Sequence, residues 1–141
     1  MSVDSFEKGL LLCDTHLHAG NNYVQIDDYK SAIQEFTKVI ELLPEFVDLA
    51  IKIDKSNPPP EIKRSYFVTV RLNAHAAYMG RSMSYLATGE QSKAKADKDM
   101  ADKIMSKNSL EEIKSELTGG GLAGCISIIV FIVLGYILFF R

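Results

Sequence analysis

Apolar residues recur every three or four positions along most of the chain, which predicts a protein built from α-helices. We expect a first helix over residues 4–25, a second over 28–42, a third over 61–88 and a fourth over 90–105. The residues expected to face inward are Phe6, Leu10, Cys13, Leu17 and Val24 in the first helix, Ile33, Phe36, Val39 and Ile40 in the second, and Ala94, Ala101 and Ile104 in the fourth.

Proline and glycine mark the expected ends of these helices. Pro44 has no amide hydrogen and disfavours a helical conformation in the residue before it, so we expect the second helix to end or kink there. The apolar residues at 46–51 form either a short helix or an extension of the second one. The run KSNPPP at 55–60 predicts a stiff corner, and Gly89 predicts another break. The β-branched stretch YFVTVRL at 66–72 is compatible with a strand, but the chain offers it no partner strand.

The end of the chain differs in composition from the rest. No residue from Leu117 to Phe140 is charged. A helix over 122–140 would be roughly 28 Å long, close to the hydrocarbon thickness of a bilayer. We therefore expect a domain over 1–116 and, over 117–141, a linker with a transmembrane tail anchor. The N-terminus resembles neither a secretory signal nor a transit peptide, so we expect the domain to be cytosolic.

Charge and cysteine content narrow the possible functions. The net charge is −2 and the charges are interspersed, which gives no support for nucleic-acid binding. The two cysteines, Cys13 and Cys125, are far apart in sequence and expected environment. They indicate a reducing compartment without a disulfide framework.

The sequence DTHLH at residues 14–18 matches the D-x-H-x-H signature of metal-dependent amidohydrolases. That motif acts within a barrel of about 250 residues, which this chain is too short to form. Residues two apart on a helix point about 200° apart, so His16 and His18 cannot share a metal ion. We expect one of them to be partly packed and the other solvated. We expect no catalytic activity, metal, cofactor or small-molecule substrate.

The stretch from Ala19 to Pro44 has the residue spacing of a tetratricopeptide repeat, which it resembles. A weaker match begins near His75. The residues that carry the two matches are Gly20, Tyr23, Tyr29, Ala32, Phe36 and Pro44 in the first and Tyr85, Ala94 and Ala101 in the second. We therefore predict an all-α fold of TPR-like antiparallel helical hairpins plus one C-terminal transmembrane helix. The repeats span about 13–46 and 75–108, with an insertion at 47–74.

The resemblance implies a groove lined by the first helix of each repeat. It places there Asp14, Leu17, Asn21 and Val24 from the first repeat and Ala76, Met79, Met83 and Leu86 from the second. Such a groove is mainly apolar and suits an apolar or amphipathic helix of a partner protein. The alternative occupant is the chain's own N-terminal segment or linker. The lysine and asparagine clamp with which related domains bind chaperone tails is not matched at Leu17 or Gly80, so we do not expect carboxylate capture.

A repeat domain on a C-terminal anchor resembles the tail-anchored mitochondrial adaptors, namely the fission adaptor and the plant-type presequence receptor of the outer-membrane translocase. The resemblance implies a non-enzymatic adaptor or receptor that binds a partner protein at an organelle surface. The alternative is a structural accessory subunit of a large organellar membrane complex, of the respiratory, ATP synthase, translocase or photosynthetic type. We expect a mitochondrial membrane, with the endoplasmic reticulum as the alternative.

Overall fold

A computed structural model of the chain describes residues 2–119. This range contains five helices and no strand, so the prediction of an all-α fold is confirmed. The helices are α1 (Ser2–Gln25), α2 (Tyr29–Lys55), α3 (Pro60–Ala87), α4 (Gln91–Met105) and α5 (110–119). The expected anchor at 122–140 lies outside the described residues, and none of the helices within 2–119 has the length and apolar character needed to span a bilayer.

Helix α1 packs against α2, α2 against α3 and α3 against α4, and α1 also touches α3. The first connection is tight because Asp27 adopts a φ of 60° and Asp28 caps α2, its Oδ1 accepting from the Ser31 amide at 3.2 Å. Gly89, with a φ of 82°, connects α3 to α4. These short turns make each helix antiparallel to the one before it.

Helix α2 continues through Pro44 to Lys55, so of the two alternatives for residues 46–51 the extension of the second helix is confirmed, and the helix does not end at Pro44. A proline inside a helix costs about 3 kcal/mol. The residues that follow include Phe46 and Val47, which are buried, and full burial of such side chains contributes roughly 1.5–3 kcal/mol each. Burial therefore outweighs the missing hydrogen bond, and α2 ends only at the KSNPPP corner.

Helix α3 includes residues 66–72, which excludes the strand alternative. It has 28 residues and α4 has 15, so α4 covers only part of its length. Helix α5 covers the remainder. It begins with a capping box, in which Ser109 Oγ accepts from the Glu112 amide at 3.2 Å and the Glu112 carboxylate accepts from the Asn108 amide at 2.8 Å. Lys114 Nζ on α5 lies 2.6 Å from the Asp48 carboxylate on α2.

One hydrophobic core joins all five helices. Its buried members include Phe6 and Cys13 of α1, Val39, Leu43, Phe46 and Val47 of α2, Val70, Ala74 and Ala77 of α3, Ala101 and Ile104 of α4, and Leu110 and Ile113 of α5. Residues 2–119 thus share a single core. The TPR-like arrangement of the hairpins stays a prediction.

Candidate partner-binding site

The ring of Phe36 on α2 is held between two glycines on different helices. A Cβ added to Gly20 of α1 would lie 2.7 Å from the ring, and one added to Gly80 of α3 would lie 2.5 Å from it. Only glycine permits such a close approach, so both helices pass Phe36 at the same level. Close packing at Gly20 was predicted from the repeat pattern, whereas the contact of Gly80 was not.

A second contact fixes the register of α1 against α3. The rings of Phe6 and Tyr66 meet edge to face, with centroids 4.5 Å apart. Phe6 and Tyr66 are 60 residues apart in sequence, and so are Gly20 and Gly80. Helices α1 and α3 therefore run parallel, and a residue of α1 lies level with the residue of α3 that is 60 positions later. We call the surface that these two helices form together, on the side away from α2 and α4, the α1–α3 face.

Helix α3 exposes an uncharged apolar stripe on this face. The α3 stripe consists of Leu72, Ala76, Met79, Met83 and Leu86. Their alternating spacings of four and three residues place them on one side of the helix over about 21 Å. The large side chains at 72, 83 and 86 are 51%, 58% and 58% exposed, and that of Met79 is half-buried. The repeat pattern missed Leu72 because it starts near His75, although the same spacing continues one turn earlier.

Helix α1 contributes a more mixed surface. Leu17 and Val24 are half-buried and Asn21 is exposed. Leu17 also packs against the core, so it offers less surface to a partner than the groove pattern implied. The register places Leu17, Asn21 and Val24 level with residues 77, 81 and 84 of α3, beside the C-terminal part of the α3 stripe. The structure therefore brings the predicted groove residues onto one face.

Charged residues of opposite sign flank the α3 stripe. Glu7 and Asp14 lie on α1 and continue the spacing of Leu17, Asn21 and Val24 toward the N-terminus. Arg71 and His75 lie on the other flank of the stripe, on the side of α3 that also carries Ser82, whose hydroxyl donates to the Ala94 carbonyl on α4. Arg64 is on the same side, about two turns before the stripe begins, and lines the concavity between the starts of α3 and α5. Within residues 2–119, none of these five charged or titratable side chains forms an ion pair or a hydrogen bond.

Arg71 is the most distinctive of these side chains. Its guanidinium lies over the ring of Phe67, 4.8 Å from the centroid. Its Nε is buried and has no hydrogen-bond partner in the described part of the chain. A buried donor left unsatisfied costs about 1–3 kcal/mol.

The opposite side of α3 is tied to its neighbours. Arg81 donates two hydrogen bonds to the Asp97 carboxylate of α4, at 2.7 and 2.8 Å, and a third to Thr37 Oγ1 of α2 at 3.1 Å. Burial alone would lower the pKa of the Arg81 guanidinium, but the bonds to Asp97 raise it. For the neighbouring Tyr78, whose ring lies below the Arg81 guanidinium, burial disfavours the charged phenolate and therefore raises the pKa. This side of α3 holds three helices together and offers no comparable exposed surface.

The histidines of the DTHLH stretch are placed as expected. His16 is half-buried and its Nδ1 lies 2.6 Å from Glu35 Oε2, whereas His18 is exposed. Hydrogen bonds from Lys38 and from His16 lower the pKa of Glu35. Burial, with a smaller effect of the Asp14 charge, raises the pKa of Cys13 to about 11, so its thiol is protonated at neutral pH. No group of three or more His, Cys, Asp or Glu within residues 2–119 is placed to bind a metal ion.

The residues predicted to pack the repeats differ in burial. Ala32, Phe36, Ala94 and Ala101 are buried, Gly20 lies against Phe36, Tyr23, Tyr29 and Tyr85 are half-buried, and Pro44 is exposed. The Tyr29 hydroxyl donates to Asp27 Oδ1 at 2.7 Å, in the turn before α2. The buried members of this set pack the helices together, whereas exposed Pro44 does not have the packing role that the repeat pattern predicted for it.

Two concavities lie away from the α3 stripe. One of about 330 Å³ lies between α1 and α2 beside Gly9 and Phe46, and one of about 430 Å³ lies between the starts of α3 and α5 beside Phe67 and Leu110. The α3 stripe is an open surface, and its extended shape suits a helix better than a small molecule.

Comparisons of the chain with protein-family models, with curated proteins and with solved structures gave no match. Its function is therefore inferred from its own residues.

Proposed function

We propose that this protein is a non-catalytic adaptor or receptor, anchored in an organelle membrane by residues 122–140. It binds an amphipathic helix of a partner protein on the α1–α3 face. The observation that carries this proposal is the α3 stripe, in which three large apolar side chains are each more than half exposed. A contiguous exposed apolar surface on a folded domain is typical of an interaction site.

The chemistry of the stripe favours a helical partner. Met79 and Met83 have flexible, polarizable side chains that adapt to irregular apolar surfaces. Covering the exposed parts of the three large side chains contributes roughly 3–5 kcal/mol. Association itself costs at least about 4 kcal/mol in lost translational and rotational freedom. The stripe alone therefore leaves almost no net binding free energy, so the proposed partner must also contact residues beside the stripe.

Photocross-linking in cells that express the full chain tests the partner surface. A photoreactive residue in place of Met83 should form an adduct with another protein, and Leu86→Glu should abolish it. The matched control is Leu12 of α1, which is 45% exposed and lies beside α2, away from the α1–α3 face. Equal adducts at both positions, an adduct with a second copy only, or an adduct within the chain would overturn the proposal.

The anchor is tested separately, with residues 106–141 fused to a fluorescent protein. We expect the fusion to label mitochondrial membranes. Labelling of the endoplasmic reticulum would contradict the mitochondrial location, and uniform cytosolic fluorescence would contradict the anchor. Native electrophoresis after mild detergent extraction tests the adaptor role, because stoichiometric migration with one large complex would instead identify a structural subunit.

A further inference from the structure

We infer that the partner helix carries basic residues along one edge of its apolar face and acidic residues along the other, and that it therefore binds in a single direction. This inference rests on the proposed function and specifies the chemistry of the partner. It follows from the opposite charges that flank the α3 stripe.

The acidic flank lies on α1. Asp14 is half-buried and Glu7 is exposed, and neither has an ion-pair or hydrogen-bond partner among residues 2–119. The register of α1 against α3 places Asp14 level with residue 74, beside the first turn of the α3 stripe, and Glu7 level with residue 67, about 7.5 Å before the stripe begins. A helix lying along the stripe would present its α1-side edge to these carboxylates. Lysine or arginine on that edge would pair with them.

The basic flank lies on the far side of the stripe. Arg64, Arg71 and His75 occupy levels that overlap those of the two carboxylates. Arg71 has no carboxylate partner within residues 2–119, and Nε is the only nitrogen of its guanidinium that is fully buried. A glutamate or aspartate on the second edge of the partner helix would pair with the remaining guanidinium nitrogens.

The two flanks together fix the direction of binding. If a helix is turned end to end on the same surface, the edge that faced α1 comes to face the basic flank, and the other edge comes to face α1. A helix with one basic and one acidic edge matches the protein in one direction and meets like charges in the other, which disfavours the reversed complex.

Three synthetic peptides with the same apolar face test the inference. One carries lysine on one edge and glutamate on the other, the second carries lysine on both edges, and the third glutamate on both. Their affinities are measured by fluorescence anisotropy for the full chain in nanodiscs of zwitterionic lipid, with empty nanodiscs as the blank. Because exposed ion pairs are individually weak, we expect the mixed peptide to bind about tenfold more tightly than the others, a difference that high salt should remove.

Exchanging the charges of the protein tests the direction. Changing Glu7 and Asp14 to lysine, or Arg64 and Arg71 to glutamate, should remove the preference for the mixed peptide. All four changes together exchange the charges of the two flanks and should restore the preference with the peptide reversed. A photoreactive group at the peptide N-terminus should then label the opposite end of the α3 stripe. Lys52→Glu, an exposed charge reversal on α2, is the control and should have no effect.

The outcomes separate the two proposals. Equal binding of the three peptides, or an unchanged direction in the variant with all four changes, would overturn the charged edges and leave partner binding intact. Failure of all three peptides to bind would overturn both.

Discussion

The Phe36 ring sets the spacing of three helices, and this contact leads to a prediction at the scale of single residues. Replacing glycine by alanine inside a helix normally stabilises it by about 1 kcal/mol. At Gly80 the added Cβ would lie 2.5 Å from the ring, and overpacking of this kind costs about 1–3 kcal/mol. We expect Gly80→Ala to lower the free energy of unfolding by about 1–2 kcal/mol, measured by urea denaturation of the full chain.

Two further variants test the cause. Gly119→Ala adds the same methyl group where no atom lies within 4 Å, so it should not destabilise the protein. Phe36→Leu combined with Gly80→Ala should be less destabilising than the sum of the two single changes. Additive effects would show that the ring and the glycine do not interact as described.

The ion pair between Arg81 and Asp97 gives the second prediction at this scale. The Asp97 side chain is 8% exposed, and Arg81→Met would leave its carboxylate buried without a counter-charge. Breaking a buried pair in this way costs about 3–5 kcal/mol, whereas replacing both partners by apolar residues is often neutral. We expect Arg81→Met to lower the melting temperature strongly and Arg81→Met with Asp97→Leu to recover most of the loss. Equal melting temperatures for the two variants would contradict a paired role.

At the scale of elements, Pro44 tests how burial competes with local backbone preference. The residue is exposed and cannot donate the helical hydrogen bond that alanine would donate. Pro44→Ala should therefore raise the free energy of unfolding by about 1–3 kcal/mol, because little burial is lost and a backbone bond is gained. Denaturant unfolding with circular dichroism detection measures the change. A destabilised variant would indicate that the core requires a backbone distortion at this proline.

The helix ends show which features of the fold local sequence rules predict. Gly89 and the three prolines before Glu61 restrict the backbone whatever surrounds them, so the breaks at these points were predictable. The effect of Pro44 was not, because it depends on whether Phe46 and Val47 find a core to enter. Residue type alone therefore predicts strict breaks but not those that tertiary packing can override.

The candidate site was predictable to a similar degree. The spacing of Met79, Met83 and Leu86 identifies an apolar side of α3 without any tertiary information. The charged flanks could not be found in this way, since Asp14 and Arg71 are 57 positions apart in sequence. They share one face because Gly20 and Gly80 both contact the Phe36 ring, which fixes how α1 lies against α3. The periodicity within a single helix does not reveal such a contact between two helices.

At the scale of the whole molecule, α5 connects the domain to residues 120–141. Lys114 pairs with Asp48 on the side of α2 that also carries Thr37, the residue bonded to Arg81. Helix α5 therefore packs against the side of α2 that Arg81 reaches, and its first residues lie beside Arg64 and Phe67 at the start of α3.

Helix α5 is also expected to be needed for stability, because it covers the part of α3 that α4 is too short to reach. Its Leu110 and Ile113 are buried, and burying two such side chains contributes about 3–6 kcal/mol. This is comparable to the whole stability of a typical domain. A chain ending at residue 108 should therefore lose cooperative thermal unfolding, whereas a chain ending at 119 should keep it. Ile113→Ala should cost about 2–5 kcal/mol and Glu111→Ala, on the exposed side of the same helix, much less. If the chain ending at 108 unfolds as cooperatively as the longer one, α5 is an appendage and the first four helices form a complete core.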